Sequence, residues 1–338
     1  MNGNSAALRR RIAVVAVMAG ALVSVAVWSG AAAGAPARST AKPVRIAYLS
    51  FAVANSYDAP MLAAAKAAAA KGGAKITVFD ANNDPKAQFS QLQTAATSKQ
   101  YDAIIVQPIF GTGLISVVKQ AIKNKIKVVN MDQELGANLG TAKPQVAGLS
   151  GNVVFVPTLI GKHLGQLVVK ACASKSSCNV GYLFDIKASA LDVAIRGAFD
   201  KAVAGHSNVK VVAEGESFFT PATGLKAVQT MLTANAAINL VAGSDQGIEG
   251  AVQVVDPAKV TLVGYGGSVA GLKGVADGSW YGTVMQLPAS EGRIAVQCAI
   301  KAVRTGKGCG GIDPVDAVPD GGVVTKANVA KFKGEWPG

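Results

Sequence analysis

VRIAYLS at residues 44–50, ITVFD at 76–80, AIIV at 103–106 and KVVNMD at 127–132 are four short apolar runs in a chain of 338 residues. Helix-patterned segments at 56–71, 85–99 and 114–125 lie between them. Short strands that alternate with helices predict right-handed βαβ crossovers and a parallel sheet. Ligands of such sheets bind beyond the carboxyl ends of the strands. Polar residues follow the four runs at those ends, namely Asn55, Tyr57, Asp80, Asn82, Asn83, Gln107 and Asp132.

The second half of the chain repeats this pattern. Helix-like stretches at 156–172, 189–204, 221–233 and 247–254 alternate with strand-like runs at 179–184, 209–214, 240–243 and 261–265. A strand at 282–287, a helix at 289–305 and an extended segment at 314–325 follow. The predicted fold class is therefore α/β, with two doubly wound parallel-sheet (Rossmann-like) lobes that meet near residue 150.

The first residues read as an export signal. Arg9, Arg10 and Arg11 precede an uncharged apolar run at 12–28, and small residues fill 29–37. This order is typical of a cleaved secretory signal peptide. The rival interpretation is a retained membrane anchor, but the run is short for a spanning helix. Because no cysteine lies near the cleavage region, we expect a periplasmic, cell-envelope or extracellular protein without a lipid anchor.

The charge of the chain is basic but dispersed. The formal net charge is +13, aromatic residues make up 6%, and beyond the leader no basic run exceeds two residues. A solvated basic surface explains this pattern better than a nucleic-acid footprint. We therefore expect no nucleic-acid partner.

Four cysteines, at positions 172, 178, 298 and 309, all lie in the second half. An exported chain meets oxidising conditions, so disulfides are expected, and four cysteines allow three pairings. The pairs Cys172–Cys178 and Cys298–Cys309 close the shortest loops and are the predicted ones. Zinc is the alternative, but neither spacing is C-x-x-C and no histidine is adjacent, so neither a metal nor a cofactor is predicted.

Seven phrases of the sequence, taken in order, resemble the ribose/galactose-type periplasmic sugar-binding proteins, the solute receptors of ABC importers. They are FDANNDP at 79–85, VQP at 106–108, VVNMD at 128–132, GAF at 197–199, GSD at 243–245, LVGYGG at 262–267 and MQLP at 285–288. The resemblance spans 44 to about 324 and implies the type I periplasmic-binding fold, with two lobes joined by three crossover strands. The implied parts are a signal peptide at 1–37, an N-terminal lobe at 43–150 plus 287–315, and a C-terminal lobe at 151–286 plus 316–338. The crossings are expected near Ser150, near Gln286 and around 314–319.

The resemblance also implies ligand contacts, with departures from the sugar pattern. Asn55, Tyr57, Asp132 and Gln286 match family contacts. Gln133 and Ala194 stand where the family has arginine, Ser244 where it has asparagine, and Gly266 where it has aspartate. The loss of charge-assisted bonds points to a less hydroxylated sugar or another small polar molecule. Phe218 or Phe219 offers a stacking face. The predicted ligand set is Asn55, Tyr57, Asp58, Asp132, Gln133, Phe219, Ser244, Asp245 and Gln286.

Structural roles compete with binding at several of these positions. Ser244 and Asp245 precede a helix, so capping is the alternative there. Asn82, Asn83 and Asp84 are interpreted as a turn and helix cap before Pro85 rather than as ligand contacts. Tyr57 lies in a polar loop, which favours a ligand-facing ring over a core position.

Enzyme motifs are missing from the sequence. His163 and His206 are the only histidines, and there is neither a G-x-S-x-G nor a GxxxxGK[ST] sequence. The predicted function is a monomeric solute-binding protein, not an enzyme, which closes on a small polar ligand, carbohydrate favoured, and serves a membrane permease. The alternatives are an exported receptor that signals through a membrane partner, a binder of a non-sugar molecule, and a secreted hydrolase.

Overall fold

The computed structural model describes residues 42–338, so the predicted signal peptide lies outside the described residues. The strands are β1 (Val44–Ser50), β2 (Ala74–Asp80), β3 (Ala103–Val106), β4 (Lys127–Asp132), β5 (Gly151–Val154), β6 (Cys178–Phe184), β7 (Val209–Glu216), β8 (Leu240–Ser244), β9 (Thr261–Tyr265), β10 (Gly282–Val284), β11 (Gly311–Ile312) and β12 (Val323–Thr325). The helices are α1 (Asp58–Gly72), α2 (Pro85–Thr97), α3 (Gly111–Lys123), α4 (Pro157–Ala171), α5 (Ala190–Val203), α6 (Pro221–Ala234), α7 (Asp245–Ala251), α8 (Val269–Asp277) and α9 (Pro288–Thr305). Among residues 42–338, no helix combines the length and apolarity needed to cross a bilayer.

The strands form two six-stranded sheets, one in each lobe. The first has the order β11-β5-β4-β3-β1-β2 and the second the order β12-β10-β9-β8-β6-β7. All pairs of named strands are parallel except β10 with β12. The two doubly wound α/β lobes predicted from the sequence are thus confirmed.

The chain passes between the sheets three times. It leaves the first sheet after Val154, returns between Val284 and Pro288, and leaves again between Ile312 and Val323. The first crossing, expected near Ser150, comes four residues later because Gly151–Val154 pairs with Lys127–Asp132 as the next strand of the first sheet. This strand begins with Gly151 and Asn152, residue types that are depleted in strands, so its pairing is decided by tertiary contact.

Helix α8 was also absent from the sequence prediction. Its glycines lower helix propensity, yet its ends carry clear signals. The Ser268 hydroxyl accepts a hydrogen bond from the Gly271 N–H at 2.8 Å, and Gly278 ends the helix with φ of +89°.

Each sheet is covered on both faces. Helices α1 and α9 bury Met61, Leu62 and Ala295 against one face of the first sheet, and α2 and α3 cover the other face. A Cβ at Gly292 would collide with the Met61 carbonyl, so this glycine lets α9 approach α1 closely. Helix α9 therefore returns the chain to the first lobe and packs closely on α1. Each fully buried aliphatic side chain contributes about 1.5–3 kcal/mol to this packing.

Both predicted disulfides, Cys172–Cys178 and Cys298–Cys309, are present, each with 5.7 Å between the Cα atoms. The first links the end of α4 to the start of β6 in the second lobe. The second links α9 to the loop before β11 in the first lobe, so each bond stays within one lobe.

Replacing Cys298 and Cys309 together by serine is expected to lower the free energy of unfolding by about 3 kcal/mol, because the cross-link restricts the unfolded chain. The double serine variant at Cys172 and Cys178, which opens a shorter loop, serves as the matched comparison and is expected to lose about 2 kcal/mol. Urea unfolding of the oxidised proteins measures both. An unchanged midpoint in the first variant would contradict the expectation.

Candidate functional site

The loop after β1 and the start of α1 bring three predicted residues to the carboxyl edge of the first sheet. The Asn55 side-chain oxygen accepts a hydrogen bond from the Tyr57 N–H at 2.8 Å, which shapes the loop into a turn. Asp58 follows as the first residue of α1 and is 5% exposed. Its carboxylate therefore lies buried at the strand ends.

Gln107, directly after β3, joins two carboxylates. Its side-chain Nε2 donates to Asp58 Oδ1 at 2.5 Å and to Asp132 Oδ2 at 3.1 Å. Its Oε1 accepts from the Phe51 N–H at 3.0 Å. One amide thus fixes the positions of both aspartates relative to the loop after β1.

Asp132 ends β4 with φ of +69°, a backbone conformation that few non-glycine residues adopt. Its Oδ1 is buried and has no hydrogen-bond partner in the described chain. Burial, and then the charge of Asp58, raise the pKa of Asp132 well above its usual range, and the Gln107 hydrogen bond partly opposes this. Burial likewise raises the pKa of Asp58 to about 7.

The second lobe contributes Asp185, a carboxylate that has several hydrogen-bond donors, unlike Asp132. Asp185, after β6, accepts hydrogen bonds from the hydroxyls of Ser217, Ser244 (2.6 Å) and Tyr265 (2.8 Å). Burial raises the pKa of Asp185 to about 6, and these three donors counteract the shift. Asp185 is thus held by its own lobe.

Several contacts join the lobes beside these groups. Gln246 Nε2 on α7 donates to the Ser56 hydroxyl of the first lobe at 2.9 Å. The Trp336 ring meets Tyr57 edge to face, with ring centroids 5.3 Å apart, and its Nε1 donates to the Gly266 carbonyl at 2.8 Å. The Glu335 carboxylate accepts hydrogen bonds from the Ser290 N–H and hydroxyl at the start of α9. The C-terminal segment 334–338 therefore contacts both lobes.

A cavity that is partly open to solvent lies between the two sheets, with about 590 Å³ of empty space if the solvent at its mouth is included. Side chains of both lobes line it: Phe51, Asn55, Tyr57, Asp58, Gln107, Asp132, Gln133, Phe155, Asp185, Leu191, Ile195, Phe219, Ser244, Gln246, Tyr265, Gln286 and Trp336.

The cavity gathers eight of the nine residues that the sequence nominated. The exception is Asp245, whose buried carboxylate instead accepts hydrogen bonds from the Ser268 N–H and hydroxyl and from the Thr283 hydroxyl. It ties β8 to α8 and β10 and does not reach the cavity. Of the two nominated phenylalanines, Phe219 lines the cavity and Phe218 is 53% exposed. Asp84 caps α2 by accepting from Lys86 and Ala87, as predicted.

Sequence reasoning missed the other lining residues. Gln107 was recognised only as a polar residue at a strand end, and Asp185 follows a strand in the same way, so strand-end position was a usable signal for both. Trp336 lies in a glycine-rich tail, GEWPG at 334–338, where an aromatic residue has nothing local to pack on. Phe155, Leu191 and Ile195 carried no signal that separates them from core residues.

Replacing Asp58 by asparagine is expected to stabilise the unliganded protein at pH 7.5. The pKa of Asp58 is raised to about 7 in the folded state, so the folded protein holds the proton more tightly than the unfolded chain. Its contribution to stability is therefore lost as the pH rises from about 4 to 7, and the amide removes this loss. Urea unfolding of both proteins should show a gain at pH 7.5 that fades towards pH 4. An equal difference at both pH values would contradict the pKa assignment.

Two facing doubly wound lobes with a polar cavity between them are the architecture of solute-binding proteins. Residues 46–308 match the family described as "Periplasmic binding protein domain", and the chain belongs to this family. The resemblance stated from the sequence phrases is thereby confirmed.

Curated and solved relatives agree with this assignment. The chain is 28% identical over 241 residues to the ribose import binding protein of Salmonella typhimurium, covering 69% of this chain and 76% of that protein. An ABC transporter periplasmic solute-binding protein from Actinobacillus succinogenes 130z, solved with bound D-allose, is 26% identical with a TM-score of 0.72, covering 86% of this chain and all of that one. A solute-binding protein of Bacillus halodurans C-125 with bound myo-inositol shares the fold, with a TM-score of 0.75 at 20% identity, covering 87% and 100% of the two chains.

Proposed function

We propose that this protein is the extracytoplasmic solute-binding component of an ABC importer, and that it holds a sugar or sugar-like molecule between its lobes. The observation that carries the proposal is the cavity, which takes hydrogen-bonding side chains from both sheets. A ligand that contacts both lobes stabilises the state in which they are together. Hinge closure of this kind is known for periplasmic binding proteins as a class.

Relatives support the choice of ligand and of location. The named relatives include a ribose import protein and a receptor solved with D-allose. In this chain, Asn55, Gln133 and Gln286 place amide side chains at the cavity, and Phe219 and Trp336 place aromatic rings there. Amides bind hydroxyl groups, and rings cover the apolar faces of sugars. We further propose export, a permease as the partner, and a role in binding rather than catalysis.

A thermal-shift screen of pentoses, hexoses, deoxy sugars, polyols and small acids tests this function. A ligand at 1,000 times its dissociation constant adds about 4 kcal/mol to stability and raises Tm by several degrees. At least one sugar or polyol should produce such a shift. Shifts confined to the acids, or none at all, would contradict the proposal.

A further inference from the structure

The charged side chains that line the cavity are all acidic. Asp58, Asp132 and Asp185 line the cavity, and none of the lining residues within 42–338 is lysine, arginine or histidine. An inference about the ligand from this charge rests on the proposed function, because it names the kind of solute that the same cavity binds.

The two carboxylates of the first-lobe wall share one side-chain donor. Asp58 and Asp132 share the single amide of Gln107, whereas Asp185 opposite has three hydroxyl donors of its own. Asp132 is 4% exposed, lines the cavity, and keeps one carboxylate oxygen without any partner in the described chain. Leaving such an acceptor unpaired is costly, so the position favours a donor from the ligand.

The groups behind this wall are acidic as well. Glu291 on α9 is 1% exposed and its Oε2 also lacks a partner among the described residues. The charged and titratable groups that act on Asp132 and Asp58, or respond to them, are Asp80, Glu291, Tyr48 and Tyr57, besides the two aspartates themselves. Burial, followed by the charges of neighbouring carboxylates, raises the pKa of Glu291 well above its usual range. No side chain in this set supplies a positive charge.

The geometry favours an organic cation over a metal ion. Within residues 42–338, no three acidic, histidine or cysteine side chains are placed to share a metal ion. In contrast, the rings of Tyr57 and Trp336 meet at the cavity wall next to the aspartates. Aromatic faces and carboxylates together are the surroundings that bind an alkylammonium group.

We propose that the solute is a small polyhydroxylated molecule with one protonated amine, and that the ammonium group lies against Asp132 and Asp58 and beside Tyr57 and Trp336. The remaining hydroxyls then face the amides of Asn55, Gln246 and Gln286. Because the pKa of Asp58 is about 7, binding of the ammonium group expels carboxyl protons, and affinity for the amine rises between pH 5.5 and 7.5.

Matched pairs of probes test the charge. Isothermal titration calorimetry at pH 5.5 and 7.5 compares D-glucose, D-glucosamine and N-acetyl-D-glucosamine, and compares ribose and myo-inositol with their mono-amino counterparts. At least one amine should bind ten times or more tighter than its neutral partner at pH 7.5, with a smaller advantage at pH 5.5. N-acetylation, which removes the charge, should abolish the advantage. Asp132→Asn should reduce it, while Asp256→Asn, on the surface, should not.

Failure of this inference differs from failure of the proposed function. If a neutral sugar or polyol binds at least as tightly as its amine, the charge inference is wrong and the proposed function stands. If no member of either series binds, the charge inference is wrong, and the thermal-shift screen of the wider set of sugars and polyols decides the proposed function separately. An amine advantage that survives in Asp132→Asn would also overturn the inference, because the charge would then be recognised elsewhere.

Discussion

Asp132→Asn is expected to remove about 1.5–3 of the roughly 4 kcal/mol of ligand-induced stabilisation while both lobes stay folded. The amide keeps the size of the side chain, and asparagine tolerates the left-handed backbone, φ +69°, that Asp132 adopts. What is lost is a carboxyl group that faces the cavity with one unpartnered oxygen and that is ionised when it accepts from an ammonium donor of the ligand. A hydrogen bond to a charged group contributes about 1.5–3 kcal/mol, so the dissociation constant should rise roughly 10- to 150-fold.

Calorimetric titration of the best ligand from the screen measures this change. Asp245→Asn is the matched control, because Asp245 is a buried carboxylate that satisfies Ser268 and Thr283 outside the cavity. It should lose stability and keep the wild-type dissociation constant. Wild-type affinity in Asp132→Asn would show that the site is misassigned.

Trp336→Ala is expected to weaken both the fold and binding. The ring is 3% exposed, contacts Tyr57 of the other lobe, and donates a hydrogen bond to the Gly266 carbonyl. Truncation of a buried aromatic residue costs about 3–5 kcal/mol. It also removes a wall of the cavity, so affinity should fall by at least tenfold.

Trp280→Ala separates these two effects. Trp280 is 4% exposed and packs beside Gly264 and Gly274 of the second lobe, but does not line the cavity. Chemical denaturation should show a comparable loss of stability in the two variants, and titration should show lost affinity only in Trp336→Ala. Equal binding losses would mean that Trp336 acts through stability alone.

The fold class was predictable from the sequence because it follows from local patterns, namely short apolar runs that alternate with helix signals. Apolar runs such as Lys127–Asp132 and the helix signals at Pro85 and Pro221 reappear as elements within a few residues of their predicted bounds. β5 and α8 were not found, because Gly151 and Asn152 disfavour a strand and the glycines of α8 disfavour a helix, so both elements depend on tertiary contacts more than on propensity.

The lining of the candidate site was predictable where a residue comes at or just after the end of a predicted strand, as Asn55, Asp132 and Ser244 do. The lining was not predictable where contacts between residues far apart in the sequence determine which side chains reach the cavity. Trp336 reaches the cavity only because the tail crosses back onto Gly266 and Ser268, and Gln246 only because α7 faces Ser56. Asp245, just after a predicted strand, was predicted to contact the ligand, but it does not line the cavity. Its carboxylate accepts hydrogen bonds from Ser268 and Thr283 instead.

A crystal structure with the tightest ligand from the screen tests whether the cavity between the lobes is the binding site. We expect the ligand between the sheets, with Asp132 and Tyr57 of the first lobe on one side and Phe219 and Gln246 of the second lobe on the other. A ligand bound outside this cavity, or one that contacts a single lobe, would contradict this expectation.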